Sequence, residues 1–522
     1  LSRALALDEP APAPPPRPSR WGGALSWAVL AAGVLLPLVR YWAAGLTLIH
    51  RDQPTYFAPL RWIAGEALRA GRLPLWDPFN ATGMPYLAWM THSAVHPLSI
   101  LAAFLFPGDG LDPLMGAYIL SAGVGAAVFA RTLGASRPAS VLAGFAYALS
   151  GYMLSTTSNM NNLTGTAAVP WVPAGLLLAG RGKRALGFAA GAVAVGACAL
   201  TGDIQELVVA TLLGLVLALD AGGRRGLLLG AGATAVGALL GAVQLVPAWR
   251  FLPLTHRVFP LPAFDVTQWD LLPARLVELV VPGFMWWPSE GTTSAPVYLA
   301  LAAPGEHQFR IPYSESVFVG LAVIVLAAAA VRRSRTTRLL AGAALLVLWV
   351  AMGRYLGARA VQDLLPLVNG FRYGEKFLPG TLVCAAALAA LGADHLAGSP
   401  ALARRAMTVS AAAAAALLAA WAVLASPLGD RAALLLAAGE PIRAHLVAGL
   451  PHAFLAGLAL AGALALAWRG RSRLALLALV AVVWGAAAAA APLGLRPGHR
   501  EARIDVPPPP LAAPPPGPRV ML

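Results

Sequence analysis

The chain has 522 residues, of which 58% are hydrophobic and only 12% charged, and its mean hydropathy is +0.69. A soluble domain carries roughly 25% charged residues to cover its surface with water-solvated groups, so this composition excludes a soluble enzyme or binding module. The formal net charge of +15 brings nucleic acid to mind, but the basic residues sit in short clusters between apolar runs, which sets membrane orientation and does not build a phosphate-tracking groove.

Residues 1–20 are rich in Pro and Ala, carry Arg3, Arg17 and Arg20, and read as a disordered basic cytoplasmic tail. A transmembrane domain is expected over 21–495. Apolar windows able to cross ~30 Å of hydrocarbon as helices fall at 21–39, 112–133, 138–155, 163–180, 185–201, 204–219, 226–247, 314–331, 338–353, 376–396, 405–425, 445–468 and 472–492. The run from Ala94 to Phe106 is too short to span and contains Pro97, which predicts a re-entrant or interfacial helix. The fold class is therefore an all-α polytopic membrane protein with about 13 transmembrane helices.

With the N-terminus cytoplasmic, the basic clusters all fall on the cytoplasmic side: Arg131 and Arg137; Arg181, Lys183 and Arg184; Arg224 and Arg225; Arg332 to Arg338; Arg404 and Arg405; Arg469 to Arg473. The long segments 40–111, 248–313, 354–375 and 426–444 then lie outside, with the Pro-rich tail 496–522, which is expected to lead into a further outer domain. Long irregular segments gathered on one side suggest that the chemistry is done there. Cys198 and Cys384 both lie in apolar stretches, and no disulfide framework is indicated.

The first outer segment is the most informative. Tyr56 to Ala70 repeats apolar residues at helical spacing, with Arg61, Glu66 and Arg69 at the other positions, as in a helix lying along a membrane surface. Asp52 follows the first span closely. A partly desolvated carboxylate there can act as a general base; alternatively it pairs with Arg51 or Arg61, or caps the following helix. Asp77 precedes Pro78 and suits a turn. His92 and His96 are four apart and are weak candidate metal ligands, with Pro97 and the lack of a third ligand against them. Charges near spans are costly, which singles out Asp203, Glu206 and Glu315. Arg372 and Lys376, four apart, suit a phosphate at the interface or ordinary snorkelling beside Tyr373.

Several stretches resemble the YfhO family of bacterial membrane proteins, related to the GT-C class of polytopic glycosyltransferases. They are Arg51-Asp52-Gln53, Gly71 to Phe79, Gly83 to Ala88, His96-Pro97-Leu98, and Phe371 to Phe377. Gly374 stands where the family tends to have Pro, and Gly202-Asp203 where relatives often have Gly-His.

The resemblance implies a GT-C-like bundle with interfacial helices in the first outer loop, in the bacterial cytoplasmic (inner) membrane. It implies transfer of a sugar from a polyprenyl-phosphate donor to an envelope glycan, lipid or protein acceptor on the outer face. Asp52 takes the place of the family's acid. Arg51, Trp76, Asp77, Asn80, Arg372, Glu375 and Lys376 are the implied substrate-binding candidates, and a divalent cation, Mg or Mn, is left open. A transporter or flippase of lipid-linked saccharide and a non-catalytic envelope scaffold are the alternatives. No internal repeat of the kind common in transporters is visible.

Overall fold

The computed structural model describes residues 20–48, 50–80, 82–106, 111–181, 184–255, 266–286, 295–302, 312–365, 368–434, 439–495 and 498–499. Most of the expected tails, and parts of the large segment 248–313, lie outside the described residues. The architecture is all-α and polytopic, and the only strands among the described residues are two-residue pairs.

Every apolar window contains helix. Among the described residues eight helices are long and apolar enough to cross a membrane, fewer than the windows, because several windows break into shorter pieces. The window 138–155 splits into Arg137–Ala148 and Gly151–Ser155, with Ser150 capping the second piece through Met153 N at 3.3 Å. The window 314–331 is helical only over Leu321–Ala330; residues 314–320 are irregular.

Conversely, Ile204–Leu240 holds two segments. Gly223 has φ 57° and ψ −151°, a conformation that costs a residue with a Cβ dearly. The chain reverses there, since a Cβ on Gly226 would lie 2.2 Å from Ala218 O, and one on Gly230 3.1 Å from Leu215.

Helices at the centre are stripped of contact with the surroundings: the best apolar windows of Met160–Gly180 and Gly374–Ala397 are each 83% buried, against 11% for Pro400–Leu424. The apolar outer face of Pro400–Leu424 suits hydrocarbon.

The turns carrying basic clusters meet at one end of the bundle. Ser136 donates from N and Oγ to Asp394, each at 2.6 Å; Arg335 pairs with Asp220 at 3.0 Å; Arg333 donates to Leu391 O at 3.1 Å; and Arg181 donates to Thr132 O. At the opposite end, Leu46–Thr47 pairs antiparallel with Gly498–His499. The exits of the first and last helices therefore share one end, so the chain traverses the bundle an odd number of times.

The segment 40–111, expected outside, forms the short helices expected of it. A π-helical turn, Gln53–Phe57, runs into the helix Ala58–Arg69, and a short helix, Pro97–Leu105, is capped by His96. One position differs: Arg61, expected on the polar face, is buried and donates to Ser99 O at 3.2 Å. Its long stem lies between the two short helices, where an arginine can bury methylenes while its head finds carbonyls.

Candidate functional site

The site is built from the exit of the first helix. Thr47 Oγ1 and Leu48 N each donate to Asp112 at 2.8 Å, which anchors the segment on the helix Leu111–Thr132. His50 Nδ1 donates to Leu48 O at 3.0 Å. Arg51 takes a left-handed backbone, φ 51°, and its Nη1 reaches Tyr313 O at 3.1 Å and Glu315 Oε1 at 3.2 Å. Gln53, fully buried, donates to Thr157 O at 2.7 Å.

Asp52 sits between these two tied neighbours. It is exposed, makes no capping hydrogen bond to the turn that follows, and has no ion-pair partner among the described residues. Pairing with Arg51 or Arg61 is not realised, because Arg51 is spent on Glu315 and Arg61 on Ser99; the partial desolvation expected of Asp52 is not realised either, since the residue is exposed.

Three distant segments close around Tyr313. Its ring centroid lies 5.3 Å from that of Trp269 and 5.4 Å from that of Tyr373, and the latter two are 4.9 Å apart. Asn162 Nδ2 donates to the Tyr313 hydroxyl. Of the non-glycine residues with positive φ among the described ones, Arg51 (51°), Trp269 (52°) and Tyr373 (64°) all belong to this cluster. Such conformations cost about 1–3 kcal/mol each and concentrate at functional sites. This signal is invisible in sequence, since none of the three is glycine, the residue that ordinarily marks positive φ.

Arg372 lies in the same cluster. Its guanidinium stands 5.0 Å over the Tyr373 ring, and its Nε is buried without a hydrogen-bond partner among the described residues. Lys376, the other expected phosphate ligand, is already paired with buried Asp203. An ammonium so engaged does not share a phosphate with Arg372 unless that pair opens.

Glu375, an expected substrate contact, is buried, receives Ser314 N at 3.1 Å and Ser314 Oγ at 2.7 Å, and pairs with fully buried Arg275, so its carboxylate is engaged within the protein. Arg275 Nε also donates to Glu278 at 3.0 Å, and its Nη2 to Ser314 O at 2.9 Å. Burial disfavours the charge of Arg275, but Glu375 and Glu278 outweigh that and hold its pKa above the usual value. Burial pushes the Glu278 carboxyl up to about 7, with Arg275 pulling the other way and Glu375 adding to the rise. This network locks 314–315 to 374–375. Sequence reasoning passed it over, although opposite charges three apart in the apolar run from Arg275 to Val280 were a readable signal.

Asp77, expected in a turn, is fully buried and accepts from Phe79 N at 2.9 Å and Asn80 Nδ2 at 2.5 Å, so it and Asn80 hold the turn together. Trp76 is 53% exposed and remains available; its indole lies close over Gly83, where a Cβ would come within 2.6 Å of it.

His92 and His96 do not share a helix face, because Ser93, φ 49°, breaks the chain between them. Burial lowers His92 to about 3, with Asp77 opposing, and His96 to about 4. Thr91 Oγ1 occupies His92 Nδ1 at 2.9 Å, and the Tyr118 hydroxyl occupies His96 Nδ1 at 2.8 Å. Among the described residues no group of three or more His, Cys, Asp or Glu side chains is placed to hold a metal ion.

No protein-family model and no curated protein matches the chain. Among solved structures it is similar to ArnT from Cupriavidus metallidurans in the apo state, at 18% identity and a TM-score of 0.46, covering 90% of this chain and 78% of that one. The same enzyme bound to undecaprenyl phosphate gives 17%, 0.43, 91% and 78%. The arabinofuranosyltransferase AftD from Mycobacteria gives 18%, 0.39, 87% and 27%. Likenesses this distant assign no role to any residue of this chain.

Proposed function

We propose that this chain is a GT-C-type membrane glycosyltransferase related to the YfhO family. It transfers a sugar from a polyprenyl-phosphate donor to an envelope acceptor at the outer face of the bacterial cytoplasmic membrane. The observation that carries the reading is Asp52, an exposed carboxylate without an ion-pair partner among the described residues, held by Arg51 and Gln53 at the exit of the first helix. Support comes from the strained aromatic cluster that its neighbour Arg51 reaches at Tyr313 O, and from the Arg372 guanidinium over Tyr373.

The chemistry is a direct displacement. Asp52 accepts the proton of the acceptor hydroxyl as that oxygen bonds to the anomeric carbon. The bond between anomeric carbon and phosphate oxygen breaks, and the lipid phosphate departs with the electron pair. Arg372 meets the developing negative charge. Arg51 positions Asp52 instead of touching phosphate, because Glu315 and Tyr313 O hold its guanidinium. The half-buried faces of Trp269, Tyr313 and Tyr373 offer a stacking surface to a sugar ring.

The test is transfer by purified protein given a labelled polyprenyl-phosphate sugar and an envelope extract as acceptor. Asp52→Asn should lower turnover by about 10²–10⁴, the usual contribution of general base catalysis, while elution profile and helicity stay as in the wild type. Unchanged turnover in the variant, or an intact donor with the wild type, rejects the reading.

A further inference from the structure

Far from that site, at the end where the basic turns meet, three helices leave a cavity of about 390 Å³ lined by Trp27, Val128, Arg131, Thr132, Leu178 and Arg181. Its walls are apolar. Trp27 comes from Arg20–Ala43, Val128 from Leu111–Thr132 and Leu178 from Trp171–Gly180. Its rim carries two guanidiniums, both on exposed residues.

The plain alternative is that the arginines only cap helix carbonyls. Each does spend Nη1 that way, Arg131 on Ala135 O and Arg181 on Thr132 O. A guanidinium has five N–H donors in a fixed fork, so one carbonyl contact orients it and leaves most of the fork unused. No ion pair with either arginine is present among the described residues. Asp220 is near enough to attract Arg181, but its oxygens are taken by Arg335 at 3.0 Å and Thr336 Oγ1 at 2.6 Å.

Two oriented cations above a cavity with apolar walls fit a ligand that is anionic at one end and hydrocarbon at the other. We infer that this cavity binds the headgroup and upper acyl chains of an anionic phospholipid from the surrounding leaflet. Basic pockets between transmembrane helices commonly take such headgroups, and the planar fork suits a phosphodiester. A zwitterionic lipid presents the same phosphodiester with an ammonium that the two arginines repel. Free phosphate could meet the guanidiniums but leaves the apolar walls unfilled. The inference is independent of the glycosyltransferase reading.

The experiment is native mass spectrometry of the full chain in detergent with phosphatidylglycerol, phosphatidylethanolamine or inorganic phosphate. The wild type should retain phosphatidylglycerol at least about tenfold better than phosphatidylethanolamine, in line with the per-residue effect of basic groups at a membrane surface. The double substitution Arg131→Gln with Arg181→Gln should abolish that preference. Leu178→Trp, which fills the cavity and keeps both charges, should also expel the lipid and serves as the check if the Gln pair is unstable. Equal retention of the two lipids, a preference that survives both sets of variants, or displacement of phosphatidylglycerol by millimolar phosphate overturns the inference.

Discussion

Arg275→Met probes what holds the candidate site together. Arg275 is fully buried, and its guanidinium contacts Glu278, Glu375 and the Ser314 carbonyl. Methionine roughly keeps the stem and deletes the charge, stranding two buried carboxylates. Breaking a buried ion pair by removing one partner costs about 3–5 kcal/mol. Two features favour the lower end. Glu375 keeps both of its bonds from Ser314, and Glu278, already raised to about 7 by burial, sheds its charge by taking a proton. The expected loss is therefore about 3 kcal/mol, and adding Glu375→Gln should recover part of it by removing one stranded charge. Equilibrium unfolding in graded mixed micelles, followed by tryptophan fluorescence, measures both values. Because the same network fixes the segments bearing Tyr313 and Tyr373, turnover should fall even though Asp52 is untouched. A single variant within about 1 kcal/mol of wild type, or a double variant no better than the single, refutes the argument.

Two further outcomes are expected. Arg372→Gln should raise the donor KM and lower turnover at least about tenfold while leaving stability within about 0.5 kcal/mol, because the side chain makes a ring contact and no ion pair; Michaelis kinetics with an unfolding midpoint check it, and unaltered kinetics remove Arg372 from the site. Native Glu278 holds a proton up to about pH 7 that the unfolded chain releases near 4.5. Its contribution is therefore present at the acid side and declines as pH rises through that window. The stability difference between wild type and Glu278→Gln should shrink across it, and a difference that does not change with pH contradicts the assignment.

The helices were legible because hydrocarbon imposes long apolar runs, and the basic turns were legible because charge cannot stay in the bilayer. Even the reversal at Gly223 was marked, by Arg224 and Arg225 between two windows. The site was legible only at its local part, where Asp52 follows the first span. Its partners come from remote segments: Arg51 meets Glu315, and Tyr373 meets Trp269 and Tyr313. No local pattern encodes such pairings. At Asp77, Asn80 and Glu375 the sequence did not reveal the contacts by which these polar residues hold the chain. Arg61 misled for a different reason, since helical periodicity supplies a face but not the second helix that covers it.

Cysteine labelling at position 52 tests the side of the membrane and the ligand together. Both native cysteines are free but buried, so an impermeant maleimide finds little background in intact spheroplasts. Asp52→Cys should react from outside, and polyprenyl phosphate should protect it. Reaction only after permeabilisation, or the same rate with and without the lipid phosphate, contradicts an outward-facing carboxylate that works on a lipid-linked sugar.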